Sequence, residues 1–138
     1  MLRGVPAVLG VFLLVSSSLA VPCPGSVIVR VETLRNDSCL QNCSDSTLYT
    51  PDNLDFEQRC PRTTLACFAA ELKVLTDELS ISGCSSFSRI AQRLETLSKR
   101  YEAEEDCLQC ELLQEKSVDR FLSSLLSTLQ QICSKSAS

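Results

Sequence analysis

Nine cysteines and no histidine in a chain of 138 residues constrain this fold more than any other feature. Two pairs stand out, Cys60 with Cys67 and Cys107 with Cys110. Each lies at or just ahead of helix-like text: Cys67-Phe68-Ala69-Ala70-Glu71-Leu72 and Cys110-Glu111-Leu112-Leu113-Gln114-Glu115-Lys116. Such pairs can tie two distant helices into a small bundle whose surface does the work. A Cys-x-x-Cys is also the hallmark of redox centres and half of many zinc sites. The compartment of the protein weighs between these readings.

Met1–Ala20 combines a basic Arg3, an apolar stretch from Val5 to Val15 and small residues ending at Ser18-Leu19-Ala20. That is the layout of a cleaved secretory signal peptide. The apolar run is shorter than the roughly 20 residues a membrane-spanning helix needs. The segment Phe121–Ile132 is interrupted by Ser123, Ser124, Ser127 and Gln130. The expectation is a secreted, extracellular product without direct membrane insertion, with residues 21–138 as one domain. All nine cysteines fall in that part, a density that reads as a disulfide framework in an oxidising compartment. Zinc would want four thiolates or histidines, and a redox motif would want a βαβ context, so structural bridges carry most of the weight. The net charge of −4 becomes one unit more negative once Arg3 is removed. Nucleic acid and anionic membranes are poor partners for such a chain, because both need a basic face.

The apolar residues recur at helical spacing in three stripes: Leu65, Phe68, Leu72, Leu75 and Leu79; Phe87, Ile90, Leu94, Leu97 and Tyr101; and Val118, Phe121, Leu122, Leu125, Leu129 and Ile132. Pro61 suits the first turn of the earliest of these helices, and Gly83 suits its end. An additional helix is expected upstream, where Val27, Val31 and Leu34 share a face. Its β-branched residues also suit a strand, but a lone strand would find no partner. The connection over Asn36–Arg59 is long and polar, and Ala103–Gln109 supplies a second long one if the last helix begins near Cys110. Two long crossovers mark an up-up-down-down four-helix bundle, the fold class expected here.

Specific residues sharpen this. Asp45-Ser46-Thr47-Leu48-Tyr49-Thr50, then Cys60, Cys67-Phe68, Glu71-Leu72 and Val74, resemble the first interhelical loop and second helix of the interleukin-15 branch of the short-chain four-helix cytokines. Cys107-Leu108-Gln109-Cys110-Glu111, Glu115-Lys116 and Phe121-Leu122 resemble the start of the last helix in the same interleukin-2/interleukin-15 subfamily. The resemblance covers roughly half the chain, Asp45–Glu78 and Asp106–Ile132. It implies a disulfide-stabilised bundle with bridges Cys60–Cys107 and Cys67–Cys110. In such a bundle Cys23 can meet Cys133 at one pole, and Cys39 or Cys43 can meet Cys84 at the other. Asn36-Asp37-Ser38 and Asn42-Cys43-Ser44 are glycosylation sequons.

The resemblance also implies a function: a secreted cytokine captured by a sushi-type alpha receptor, signalling through shared beta and common gamma chains. Lymphocyte activation, proliferation and survival are the implied outcome, with presentation at the cell surface on the alpha receptor. Tyr49, Glu71, Val74 and Glu78 fall on the family's alpha-receptor positions, and the last three share one helix face. Gln130 falls on the gamma-chain position, with Gln131 adjacent. Glu32 is the acidic candidate for the beta chain, while Arg93 stands where the family has an asparagine.

Enzymatic chemistry finds no footing: the chain lacks histidine, a G-x-S-x-G and a phosphate-cradling Gly-rich loop. No cofactor or metal is expected. Glu102, Glu104, Glu105 and Asp106 read as a solvated charge run rather than an acid/base pair. The alternative from another class is a disulfide-laced helical lipid-binding protein, which would extract lipid instead of capturing a receptor.

Overall fold

The computed structural model describes residues 21–37, 40, 46–80 and 87–136. In chain order these form α1 (Gly25–Arg35), β1 (Thr47–Tyr49), α2 (Leu54–Arg59), α3 (Pro61–Ser80), α4 (Ser88–Ser98), a 3-10 turn (Cys110–Leu112), β2 (Glu115–Ser117) and α5 (Val118–Ser136). The expected signal peptide, Cys39, Cys43, Cys84, Asn42 and Gly83 lie outside the described residues.

The three apolar stripes become the core. Leu65, Phe68, Leu72, Leu75 and Leu79 of α3 are buried, as are Ile90 and Leu94 of α4 and Phe121, Leu122, Leu125 and Leu129 of α5. Phe68 meets Phe121 edge to face at 5.3 Å between ring centres, joining α3 to α5 at the middle of the bundle. Each fully buried Leu or Phe contributes roughly 1.5–3 kcal/mol by leaving water. The upstream segment is helical, as its Val27–Val31 spacing predicts, yet α1 buries only those two residues completely. Its ends are pinned instead. Cys23 is bonded to Cys133 near the end of α5, and Arg35 Nε pairs with Asp119 Oδ1 at 3.2 Å near the start of α5.

Those two pins make α1 and α5 antiparallel. Phe87, just ahead of α4, donates its backbone N–H to Thr76 Oγ1 near the end of α3, so α3 and α4 are antiparallel too. Ser26 at the start of α1 accepts a hydrogen bond from Arg93, while Arg89 and Ile90 lie along the same groove as Thr33 and Leu34. That sets α1 against α4 in opposite directions. The order is therefore up-up-down-down, with two long crossovers.

Both crossovers carry structure that helical spacing does not announce. Thr47–Tyr49 pairs antiparallel with Glu115–Ser117, Tyr49 opposite Glu115. The last helix accordingly begins at Val118, not near Cys110. The text from Cys110 to Lys116 makes a 3-10 turn and a strand, because Leu113 is extended and Glu115–Ser117 satisfies its backbone across to β1. The first crossover is tied to α5 by side chains that break the apolar run in sequence. Ser124 donates to the Pro51 carbonyl, and Thr128 Oγ1 lies 2.7 Å from Glu57 Oε1 of α2.

The charge run of the second crossover is not merely solvated. Glu104 is half-buried and accepts the backbone N–H groups of Arg62 at 2.8 Å and Thr63 at 3.1 Å, with the Thr63 hydroxyl at 3.0 Å. It satisfies the orphan donors of the first turn of α3 and adds negative charge where the helix dipole favours it. Cys60, immediately before α3, is bonded to Cys107 three residues beyond Glu104. Asp106 between them takes the left-handed conformation, at φ 62°, that aspartate tolerates better than most residues.

Candidate functional site

The outer face of α3 and the small sheet meet at one surface. Cys67 is bonded to Cys110, and one turn further along α3 stands Glu71. The bridge therefore holds the 3-10 turn against the side of α3 that carries Glu71, Val74 and Glu78. Tyr49 reaches the same place from β1. Its backbone N–H donates to Glu71 Oε1 at 2.7 Å, and Ser46 Oγ donates to Glu78 Oε2 at 2.8 Å. All four expected alpha-receptor positions are thus brought together on one surface.

The electrostatics of this surface follow from burial and from neighbouring carboxylates. Burial pushes the Glu71 carboxyl above its ordinary value; the Tyr49 N–H opposes that shift, and the carboxylates of Glu115, Glu111 and Glu78 reinforce it. Glu115 and Glu111 are exposed, one on β2 and one on the 3-10 turn. Glu115 is further held by the Thr47 hydroxyl at 3.3 Å. Apolar area is interleaved with the acid: Val74 is 44% exposed and Leu112 is 67% exposed. An exposed valine and leucine among four carboxylates suit a partner that brings both cations and apolar contact.

Glu111, Leu112 and Glu115 escaped the reading of the sequence. They lie far along the chain from Tyr49 and join it only through the β1–β2 pairing and the Cys67–Cys110 bridge. The signal that could have found them is the disulfide pairing itself, which sets the residues after Cys110 beside those after Cys67. Glu71, conversely, is less free than its helical position suggests, since one of its oxygens is committed to the Tyr49 backbone.

The other expected positions are dispersed. Gln130 is exposed on α5, about three turns beyond Asp119, so it shares the face on which Asp119 meets Arg35 of α1. Gln131 is half-buried and turns towards Glu57, Pro61 and Tyr101. Glu32 is exposed on α1, away from the groove that α1 forms with α4, whereas Arg93 lines that groove. Asn36 is exposed at the end of α1, where its Nδ2 donates to the Glu32 carbonyl at 3.1 Å. Among the described residues, no group of three or more Cys, Asp or Glu side chains could hold a metal ion.

Comparison with known proteins adds an independent line. The family model described as Interleukin 15 matches residues 11–133 of the chain. Interleukin-15 of Mus musculus is 34% identical over 112 residues, covering 78% of this chain and 68% of the relative. Interleukin-15 of Oryctolagus cuniculus is 33% identical over 89 residues, covering 62% of this chain and 54% of the relative. That of Ovis aries is 33% identical over 98 residues, covering 67% of this chain and 57% of the relative. The chain thus spans between about half and two thirds of the length of these curated relatives.

Proposed function

The chain belongs to the interleukin-15 family, a family of cytokines rather than enzymes, and from that premise we propose that it acts by bridging receptor chains. The alpha receptor, a sushi-type domain, is captured by Tyr49, Glu71, Val74 and Glu78. The observation that carries this reading is their convergence on one acidic surface, with Glu71 bonded to the backbone of Tyr49. Glu78 and the second oxygen of Glu71 offer charge-assisted hydrogen bonds to arginine or lysine of the receptor, and Tyr49 offers an aromatic anchor. Gln130 contributes to the common gamma chain and Glu32 to the shared beta chain, from the α5 and α1 sides of the bundle. The product is secreted after removal of residues 1–20, carries glycans at Asn36 and Asn42, and is presented at the cell surface on its alpha receptor to sustain lymphocyte activation, proliferation and survival. Among the described residues, no helix is long and apolar enough to cross a membrane.

The test is capture of an alpha-type sushi domain by the purified secreted protein. Glu78→Lys should reduce capture at least tenfold, about 1.4 kcal/mol or more, because it places a cation against the receptor's own. Glu71→Gln, which keeps an acceptor for Tyr49, should weaken capture while leaving helicity intact. Unchanged capture by Glu78→Lys would overturn the alpha-receptor assignment.

A further inference from the structure

We propose that Lys99-Arg100 is a proteolytic processing site, cut between Arg100 and Tyr101 by a serine endoprotease that recognises paired basic residues. The product is a two-chain molecule still joined by its disulfides. The chain carries 13 lysines and arginines, and only these two are adjacent. Every other one among the described residues lies within a helix or strand, whereas Lys99 and Arg100 sit just past the end of α4. Both are exposed, and among the described residues no carboxylate pairs with either. An endoprotease with two neighbouring acidic pockets takes such adjacent cations as charge-assisted pairs. Cations past a helix end also complement its dipole, but that role needs no adjacency.

Cleavage needs the bond to swing out of the turn that closes α4, a local opening. Little holds that turn. Arg100 donates its backbone N–H to the Leu97 carbonyl at 3.0 Å, and Tyr101 donates to that of Ser98 at 3.2 Å. Lys99 keeps right-handed φ and ψ of −71° and −10°, without the left-handed closure that locks many helix ends. Residues 101–109 form neither helix nor strand, and Glu102, Ala103, Glu105 and Asp106 are exposed. Tyr101 itself is half-buried, and its carbonyl accepts a hydrogen bond from Arg62 Nη1 at 3.1 Å. That bond is the latch of the site.

Hydrolysis adds one water across the Arg100–Tyr101 peptide bond. The Arg100 carbonyl carbon takes the hydroxyl, the Tyr101 nitrogen takes the hydrogen, and the proton of the new carboxyl passes to the new amine. The fold tolerates the cut because Cys23–Cys133, Cys60–Cys107 and Cys67–Cys110 each join a residue before it to one after it. Glu104 stays on the first turn of α3, since Cys107 just beyond it is bonded to Cys60. Release is confined to the end of α4, where the new carboxylate opposes the helix dipole. The inference rests on the secretory route proposed above, where endoproteases of this class meet their substrates.

The experiment is timed digestion of the purified protein, bridges intact, with a subtilisin-type endoprotease specific for paired basic residues. The reduced, denatured chain is the control for protease activity. The digested protein should migrate as one species without reductant and as two with it, the smaller beginning at Tyr101 by N-terminal sequencing. Its helical circular dichroism should persist. Lys99→Gln with Arg100→Gln should abolish the cut. Arg62→Gln, which frees the Tyr101 carbonyl, should speed it about twofold to tenfold, as loss of one hydrogen bond from the closed state predicts. A native chain that survives while the control is cut would overturn the proposal. So would a first cut inside a helix, fragments that separate without reductant, or a rate unmoved by Arg62→Gln. Digestion of purified protein needs neither secretion nor a receptor. Secretion is read separately, from release of the chain by expressing cells, and the receptor reading fails separately through Glu78→Lys.

Discussion

The surface built on α3 and the surface built between α1 and α4 are opposite in charge and opposite in how they are held. The first has the Cys67–Cys110 bridge at its base, a two-stranded sheet along its side and a carboxylate, Glu71, bonded to backbone. Its acids are fixed in place before any partner arrives. The second is an arginine-lined groove between two helices, with the Arg93–Ser26 hydrogen bond across it. Neither flanking helix has a side-chain N-cap. Pre-organised acids suit a tight, lasting complex, because little ordering remains to be done on binding. An open groove of long arginines leaves that ordering undone.

The comparison breaks most visibly at the disulfides. Removing one with the pair Cys67→Ala and Cys110→Ala reopens a loop with a sequence separation of 43. The chain-entropy model puts the loss at about 4 kcal/mol. Denaturant unfolding should show that drop, and hydrogen exchange should show protection lost first at β1 and β2 rather than at α4. Charge reversal in the groove should cost no comparable stability, since those arginines neutralise nothing among the described residues.

A smaller effect is expected at Glu104. Glu104→Ala removes the carboxylate acceptor of two backbone N–H groups in the first turn of α3 and should lower stability by about 1–2 kcal/mol, read as a shifted denaturation midpoint. Glu104→Gln, which keeps an acceptor but loses the dipole interaction, should fall between the two. A midpoint unchanged by Glu104→Ala would remove the cap from the account of how the acidic surface is held.

The smallest effect separates the surfaces by pH. Glu71 titrates above its ordinary value of 4.5, chiefly through burial. Its folded form thus binds a proton more tightly than its unfolded form, and its charge destabilises the fold above the raised pKa. That penalty fades as pH falls through the raised pKa and is gone below the unfolded value of 4.5. Glu71→Gln should therefore be slightly more stable than the parent at neutral pH, with the gap closing on acidification towards 4.5. A gap that widens on acidification would reverse the assignment.

How much of this was legible in the sequence depends on the range of each interaction. The α3, α4 and α5 stripes were legible because helical burial repeats every three to four residues, and the side chains that do it are all Leu, Ile, Val or Phe. The clustering of Glu71, Val74 and Glu78 followed from the same period. The sheet did not announce itself: Thr47–Tyr49 and Glu115–Ser117 are three residues each, too short for alternation to register, and each needs the other to exist. For that reason the helical text after Cys110 misleads. Helix propensity there loses to backbone pairing with β1 and to the bridge at Cys110.

Composition, period and cysteine placement determined by themselves that this chain makes an all-α, disulfide-braced bundle with an acidic α3 face, because those properties reside in single residues and local spacing. Tertiary structure alone decided which distant groups share a surface. It set Glu111 and Glu115 near the Glu71 carboxyl, turned Glu104 from a solvated charge into a helix cap, and gathered Arg30, Arg89 and Arg93 around one groove. The physical reason is common to all three. Hydrogen bonds and Coulomb forces act over a few ångströms of space, and only the folded chain brings residues so far apart in sequence within that reach.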